Sequence, residues 1–345
     1  MTPRDEPMKL RDIVVPMLAA DRNQVISLGN GCVASLLLGA ESQDDCAAYA
    51  ISSEVVLVAC SDYIRGVGFH LFEKHHLTEY DLGWYLAGAN LSDVAAMGAQ
   101  PLALLSVVRY PKDLPDSSFE SLLRGVSEAC REVGAINVGG DIGTADNVVL
   151  SASAFGLVEP GALLSRSGAA PGDLLVITGL TGEAGAAMKL SRGDLLDEIE
   201  APDREHLLSR WRRVTPRVRQ GRAFAASGSV SSCMDTSDGL KAAVETLARS
   251  SGAKFVVEGA RLPISEPVRR AADVLKVSPE SLVFGDSVDF ELLATVRPSG
   301  LATLIELFQR SGMPLYVIGR VERGEGAFFQ VNSAETEIPG VAWRH

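Results

Sequence analysis

Apolar runs of strand length alternate along the chain with segments whose apolar residues recur every three or four positions. This alternation is typical of α/β and α+β proteins. In the first half it predicts strands over 54–61, 102–109, 135–139 and 148–157, and helices over 79–98 and from the capping box Ser117-x-x-Glu120 to Gly134. The segment Gly140–Gly143 is predicted to be a loop between the last two strands.

A Pro/Gly/Ser-rich stretch over 160–172 predicts a linker, and therefore an N-terminal domain over 1–160 and a C-terminal domain over 161–345. Beyond the linker the alternation resumes. It predicts strands over 173–178, 229–234, 290–297 and 315–321, and helices from about 182 and over 216–227, 237–250 and 300–311.

Composition narrows the classes of function. The 345 residues include 44 Asp and Glu against 32 Lys and Arg, a formal net charge of −12, which argues against a protein that coats nucleic acid. A phosphorylated small molecule remains compatible, because cations can bridge carboxylates to phosphate oxygens. No apolar run is long enough for a membrane span, no secretion signal is recognisable, and the five cysteines are scattered. We therefore expect a cytoplasmic protein without nucleic-acid or membrane partners.

The common nucleotide-binding and nucleophile motifs are missing. The chain has no G-x-x-x-x-G-K-[ST] loop and no serine nucleophile elbow, and Gly29–Ala34 is only a weak match to the dinucleotide fingerprint.

Acidic residues instead stand at the ends of apolar strands or inside an apolar helix. They are Asp44, Asp45, Asp62, Asp93, Asp141, Asp235 and Asp238. Carboxylates that converge from several strand ends are suited to hold Mg²⁺ for phosphate chemistry. Four of them also have a simpler interpretation: Asp44 and Asp45 as a solvated turn, Asp238 as a cap of the helix over 237–250, and Asp93 as an exposed helix position. Asp62 and Asp141 are harder to explain in this way, because ligands gather at the strand ends of α/β proteins.

At these residues the sequence resembles the thiamine-monophosphate kinase family, within the superfamily of aminoimidazole ribonucleotide synthase. The resemblance covers roughly 35–335. Its motifs are Asp44-Asp45-Cys46-Ala47-Ala48, the ten residues Asn90–Ala99 (NLSDVAAMGA), Gly139-Gly140-Asp141, Arg166–Ala169 with Pro171-Gly172-Asp173, and Asp235-x-Ser237-Asp238-Gly239-Leu240.

The resemblance implies an ATP- and Mg²⁺-dependent enzyme with an N-terminal domain that forms a β-barrel in a homodimer and a C-terminal α/β domain. It implies metal ligands at Asp45, Ser61, Asp62, Asp93, Asp141, Asp235 and Asp238, with Asp62, Asp141 and Asp235 central to catalysis. It also implies ATP contacts at Gly140, Asp141, Arg166 and Ser237. The implied chemistry is in-line transfer of the γ-phosphoryl group, which requires positioning and charge neutralisation rather than a protein nucleophile.

The chain departs from the family pattern on the acceptor side. Gly68 replaces the family's substrate-contacting histidine, and His70, two residues on in what we expect to be an extended strand, is either a partial substitute or a surface histidine. Val288 replaces a substrate-contacting glutamate, and Ile142 replaces the threonine that usually follows Asp141. Losing polar contacts changes substrate discrimination strongly.

The leading hypothesis is therefore a kinase of a small molecule, which acts either on thiamine monophosphate, as in thiamine biosynthesis, or on a divergent, less cationic acceptor such as a nucleoside-like compound. The alternatives are an ATP-dependent synthase of the aminoimidazole ribonucleotide synthase type, which would release inorganic phosphate, and a non-catalytic ATP-binding regulatory homologue.

Overall fold

The computed structural model describes residues 6–19, 25–29, 32–64 and 67–341. Within these ranges each half of the chain builds a seven-stranded sheet. The N-terminal sheet has the order β1-β2-β3-β4-β7-β5-β6. Its strands are β1 (Val25–Gly29), β2 (Cys32–Leu38), β3 (Ala47–Ala50), β4 (Val56–Tyr63), β5 (Gln100–Tyr110), β6 (Ile136–Thr144) and β7 (Val149–Val158).

The C-terminal sheet has the order β14-β13-β10-β12-β8-β11-β9. Its strands are β8 (Leu174–Ile177), β9 (Val230–Asp235), β10 (Lys254–Glu258), β11 (Leu292–Val296), β12 (Tyr316–Glu322), β13 (Gly326–Val331) and β14 (Ala334–Glu337). The first sheet ends at Val158 and the second begins at Leu174, on either side of the predicted linker. The domain boundary at 160/161 stays a prediction.

Helices pack against both sheets. They are α1 (Glu6–Lys9), followed by a π-helical turn (Leu10–Val14), α2 (Val15–Ala19), α3 (Val67–Glu73), α4 (Glu79–Ala96), α5 (Asp116–Glu132), α6 (Glu183–Arg192), α7 (Ala201–Arg212), α8 (Val218–Ser227), α9 (Leu240–Ser251), α10 (Glu266–Leu275), α11 (Pro279–Val283) and α12 (Pro298–Arg310). None of the helices in the described ranges is both long and apolar enough to cross a bilayer.

Helix α4 lies at the centre of the molecule. Thr78 and Asp81 form a reciprocal capping box at its start, and nearly all of its side chains are buried. It packs closely against α5 because glycine at positions 83 and 125 has no Cβ atom. A Cβ atom at Gly83 would lie 2.0 Å from the Leu122 carbonyl oxygen, and one at Gly125 would lie 2.0 Å from the Tyr80 carbonyl oxygen. Helix α4 also contacts α8 and β9 of the second half. Polar residues of α4 are thereby held between the two sheets.

Most predicted elements are present, and four local expectations are wrong. Residues 140–143 lie inside β6, because a register shift against β5 accommodates the positive φ angles of Gly139 and Gly140. Helix α5 begins after Pro115 without a side-chain cap rather than at a capping box. Helix α9 begins at Leu240 with Gly239 as its N-cap, so Asp238 does not cap it.

The fourth error concerns the segment that carries Gly68 and His70, which forms helix α3 and not an extended strand. The pattern also left several elements unpredicted, including α7, α10, β10, β13 and β14. The glycine motif at 29–34 joins β1 to β2, and its residues 30–31 lie outside the described part of the chain.

Candidate active site

Three carboxylates that are distant in sequence converge between the two sheets. Asp45 comes from the turn before β3, Asp93 from α4, and Asp235 from the end of β9. One oxygen of each carboxylate lies within 4.8 Å of the others. Asp45 and Asp235 are buried and Asp93 is half-buried. Asp45 therefore does not lie in a solvated turn, and Asp93 is not an exposed position of its helix.

Hydroxyl groups fix the Asp235 carboxylate. The Ser92 hydroxyl donates to Asp235 Oδ2 at 2.5 Å, and the Ser237 hydroxyl donates to Oδ1 at 2.7 Å. Because Ser92 lies on α4 and Ser237 on the turn before α9, these bonds connect the two halves of the chain at the carboxylate cluster. Ser92 was not among the predicted site residues, although it stands directly before Asp93 in the NLSD segment.

The cluster is electrostatically unfavourable by itself. Burial raises the pKa of Asp45 to about 7, with Arg166 opposing the shift and Asp235 adding to it. Burial also raises the pKa of Asp93 well above its usual range, with further contributions from Cys60 and Asp235. The pKa of Asp235 is likewise raised by burial, against the hydrogen bonds from its two serines. Buried carboxylates that repel one another favour a bound cation.

Arg166 supplies positive charge at the edge of the cluster. Its Nη2 donates to Asp45 Oδ1 at 2.6 Å and its Nη1 to the Gln43 carbonyl oxygen at 2.6 Å. Its backbone N–H donates to Asp44 Oδ1 at 2.6 Å, so Asp44 fixes the arginine backbone rather than lying in a solvated turn. Asp45 Oδ2 is buried and has no hydrogen-bond partner among the described residues. The second oxygen of that carboxylate is therefore available to a ligand.

A cavity of about 830 Å³ opens from the cluster onto the N-terminal sheet. Asp45, Asp93 and Arg166 form its charged end, and the rest of the lining combines apolar residues that include Leu36, Ala47 and Ala59 with the polar Glu41 and Gln43. A ligand with an anionic part and an apolar part can be bound here, with its anionic part at the cluster.

Other predicted residues lie beside the cluster without joining it. Ser61 donates to the Ala152 carbonyl oxygen at 2.9 Å and lines the cavity. The exposed Asp62 follows at the end of β4, where its backbone N–H donates to the Asn90 side chain at 3.0 Å. Asp238 is half-buried, directly after Ser237.

Asp141 is a predicted ligand that lies far from the cluster, on edge strand β6. Its side chain is 67% exposed and pairs with Arg109 at 2.5 Å. The hydrogen bond and charge of Arg109 lower the pKa of Asp141. Strand β6 stands four positions from β3, the strand that follows Asp45, so the distance between these two strands along the sheet is on the order of 19 Å. Gly140 comes directly before Asp141 and packs closely on the Ser106 backbone, where a side chain would have no room.

The residues predicted on the acceptor side lie on two different elements. Gly68 lies near the start of α3 and His70 further along it, with His70 Nε2 3.2 Å from Ser191 Oγ of α6. Val288 is 7% exposed in the loop before β11.

Comparison with known proteins shows to which family the chain belongs. Two family models match it, the AIR synthase related protein N-terminal domain over residues 43–158 and the corresponding C-terminal domain over residues 170–332. Thiamine-monophosphate kinase of Halobacterium salinarum is 34% identical over 247 residues, 71% of this chain and 77% of the relative. The same kinase of Methanopyrus kandleri is 33% identical over 256 residues, 72% and 75% of the two chains. The chain belongs to the thiamine-monophosphate kinase family.

Solved structures of the family share the fold. AaThiL complexed with AMPPCP and TMP has a TM-score of 0.79 at 26% identity, covering 100% of this chain and 99% of that one. Thiamine-monophosphate kinase from Stenotrophomonas maltophilia has a TM-score of 0.72 at 27% identity, covering 94% and 98%. The predicted two-domain AIR-synthase-like fold and the phosphotransferase class are confirmed. The barrel formed by a dimer stays a prediction.

Proposed function

We propose that this chain is an ATP- and Mg²⁺-dependent kinase that transfers the γ-phosphoryl group of ATP to thiamine monophosphate and yields thiamine diphosphate. The observation that carries the proposal is the convergence of Asp45, Asp93 and Asp235 beside Arg166 at the charged end of a large cavity. A relative with this fold binds AMPPCP and TMP.

The donor set fits magnesium. Carboxylate oxygens are the ligands that Mg²⁺ prefers, and Asp45 Oδ2 lacks a partner among the described residues. Asp45, Asp93 and Asp235 would hold the ion, which when bound neutralises charge on the nucleotide phosphates. Ser92 and Ser237 orient Asp235 for that task through their hydroxyl donors.

The nucleotide is assigned to the 830 Å³ cavity. Arg166 offers a planar fork of donors for phosphate oxygens at the charged end, and the apolar strand residues suit a base at the other end. Exclusion of water by the apolar wall strengthens each charged contact to the phosphates. The γ-phosphoryl group would then lie against the cluster, towards Asp62 and Asp238.

A less cationic acceptor is the second candidate, and the loop before β11 favours it. Val288 offers no charge, and the neighbouring acids have protein partners. Asp289 accepts from the Gly182 backbone N–H at 2.7 Å, Asp286 pairs with Lys189 at 2.6 Å, and Glu291 pairs with Arg217 at 2.5 Å. A cationic ring therefore finds no unpaired carboxylate among these three.

We also propose that a second copy of the chain covers the outward face of β5 and β6. This face carries exposed apolar side chains at Leu102, Leu105, Val107, Ile136 and Val138. A contiguous exposed apolar face on an edge strand favours association. The role that the family resemblance gives to Asp141 would then belong to the assembled dimer, because Asp141 is remote from the cluster of its own chain.

Phosphorus NMR of the full chain with ATP, Mg²⁺ and thiamine monophosphate tests the proposed reaction. We expect thiamine diphosphate and ADP in equal amounts. Inorganic phosphate without a phosphorylated acceptor would support a synthase, and nucleotide binding without any product would support a regulatory homologue.

Charge-removing variants test the residues. Asp62→Asn and Asp93→Asn should each abolish turnover while leaving the fold intact. Asp197→Asn, which removes an exposed carboxylate paired with Arg204, is the matched control and should retain full activity. Full activity in both site variants would refute the assignment.

A further inference from the structure

Two cysteine thiols face each other across strands β3 and β4, beside the carboxylate cluster. In this antiparallel pair Ala47 lies opposite Ala59, so the same register, continued by one residue, places Cys46 opposite Cys60. Cys46 is 4% exposed and Cys60 is half-buried, and both are free thiols. The two cysteines are distant in sequence, and the strand pairing brings them together.

The hydrogen-bond pattern of the two strands sets the distance between these cysteines. The Ile51 backbone N–H donates to the Val55 carbonyl oxygen at 3.0 Å, so these opposite residues form a hydrogen-bonded pair. Such pairs alternate with non-hydrogen-bonded pairs, and Cys46 and Cys60 lie an odd number of positions further along the ladder, so they form a non-hydrogen-bonded pair. Cα atoms in such pairs are roughly 4.5 Å apart, and disulfide bonds join Cα atoms that are about 4.4 to 6.8 Å apart. The backbone therefore has the spacing that a disulfide bond requires.

Both side chains point towards helix α4. Ala48 and Val58, the next opposite pair on the same face of the sheet, are completely buried. The Cys60 thiol donates to the Asn90 carbonyl oxygen of α4 at 3.3 Å. A hydrogen bond with Cys46, together with burial, raises the pKa of Cys60, and burial raises the pKa of Cys46 against that same hydrogen bond. Each thiol is therefore within reach of the other.

An S–S bond between these residues would alter the candidate active site. Cys46 directly follows Asp45, Cys60 directly precedes Ser61, and both cysteines line the cavity assigned to the nucleotide. Opposite Cβ atoms in a sheet are about 4.5 Å apart or more and those of a disulfide bond about 3.8 Å, so the bond draws the two strands together beside the cluster. It also removes the proton that Cys60 donates to Asn90.

We propose that Cys46 and Cys60 are an oxidative modification site, at which hydrogen peroxide closes a disulfide bond that weakens nucleotide binding. The sulfur of Cys60, the more exposed of the two, loses its proton and attacks a peroxide oxygen; an S–O bond forms, the O–O bond breaks and one water leaves. The Cys46 sulfur then attacks the Cys60 sulfur, so that the S–S bond forms, the S–O bond breaks and a second water leaves. Two thiols are thereby oxidised to one disulfide, and one peroxide is reduced to two waters.

The inference rests on the proposed function in its assignment of the nucleotide to the cavity, and it adds regulation by an oxidant to that site. A dithiol reverses the modification by thiol–disulfide exchange and is itself oxidised to a disulfide. Closing the bond shortens the distance between Cβ atoms that the strands hold further apart, and such strained disulfide bonds are the readily reduced ones.

The test treats the full chain with hydrogen peroxide and measures the cross-link and the binding separately. Remaining thiols are alkylated and the unreduced peptides analysed by mass spectrometry, while AMPPCP affinity is measured by calorimetry with Mg²⁺. We expect a Cys46–Cys60 linked peptide that is two hydrogens lighter than the two thiol peptides together. We expect AMPPCP affinity to fall about 10- to 100-fold, as for binding groups displaced by about 1 Å, and to return with dithiothreitol.

Cysteine variants show whether this pair is responsible. Cys60→Ser and Cys46→Ala each remove one partner of the bond, and the second serves if the first folds poorly. In each variant AMPPCP affinity should be the same before and after peroxide. Cys130→Ser is the matched control, because Cys130 is a buried free thiol on α5 and is not among the described residues that line the cavity. It should lose affinity on oxidation as the wild type does.

The possible outcomes separate the two proposals. If the wild-type chain forms thiamine diphosphate but peroxide yields no Cys46–Cys60 peptide, or yields it without loss of AMPPCP affinity, the inference is wrong and the kinase function stands. A loss of affinity that dithiothreitol does not reverse, or that Cys60→Ser shares, would indicate oxidation elsewhere and also overturn the inference. If the reversible cross-link lowers AMPPCP affinity but no acceptor is phosphorylated, the inference stands and the kinase function fails.

Discussion

Replacing Asp45 by asparagine removes one charge from the carboxylate cluster and keeps the size of the side chain. The Asp45 side chain is 1% exposed and its Oδ1 accepts from Arg166 at 2.6 Å. Asparagine resembles the protonated aspartic acid in shape and charge. The variant therefore measures the free energy of ionising Asp45 inside the folded protein.

The magnitude follows from the pKa of Asp45, which burial raises from 3.8 to about 7. An acid with a raised pKa in the folded state destabilises the fold wherever the unfolded chain is ionised. This cost is absent below pH 3.8, grows between about pH 4 and 7, and is complete above the folded pKa. The difference between the two pKa values corresponds to about 4 kcal/mol.

The assay is urea unfolding in the presence of a chelator at pH 4.5 and pH 8. We expect Asp45→Asn to be more stable than the wild type by about 4 kcal/mol at pH 8 and by about 1 kcal/mol at pH 4.5. Mg²⁺ with ATP should then stabilise the wild type and not the variant, since ligands that bind only the native state raise its stability. An asparagine variant less stable than the wild type at pH 8 without metal would show that ionised Asp45 does not destabilise the fold.

Three further substitutions, one of them with a matched control variant, test the proposed interface, the backbone contact of β6 and the role of Arg166. Ile136→Asn places a polar group on the exposed apolar face of edge strand β6, so sedimentation should show a dimer converted to a monomer without loss of fold; an unchanged sedimentation coefficient would contradict the proposed interface. Gly140→Ala puts a Cβ atom 1.7 Å from the Ser106 carbonyl oxygen and should lower the free energy of unfolding by about 3 kcal/mol. Gly139→Ala is its control, because nothing lies within 4 Å of that Cβ atom, and a loss of about 1 kcal/mol is expected in the same melts. Arg166→Lys loses the planar fork and should weaken AMPPCP binding about tenfold in calorimetry, whereas equal affinity would exclude a phosphate contact.

The sequence predicts the fold well where the pattern is local. Helix α4 follows from its apolar spacing and its terminal glycine, and the strands that flank it follow from their apolar runs. Local pattern fails in β6. The glycines at 140 and 143 predict a turn, but these residues belong to an edge strand whose register against β5 shifts. Local pattern also fails in α3, because a short segment with glycine and phenylalanine has no clear period.

The site could be predicted only in part. Asp45, Asp93 and Asp235 were identified from motifs that run along the chain, and the structure brings them within one cluster. Asp141 shares the same family resemblance but lies on an edge strand on the order of 19 Å away along the sheet, which no single-chain pattern reveals.

The most direct test of the carboxylate cluster is an anomalous diffraction measurement on crystals of the full chain grown with Mn²⁺ and AMPPCP. We expect a manganese peak between Asp45, Asp93 and Asp235, in contact with the phosphates of a nucleotide that extends past Arg166 into the cavity. A bound nucleotide whose phosphates and metal lie away from these three carboxylates would contradict the account.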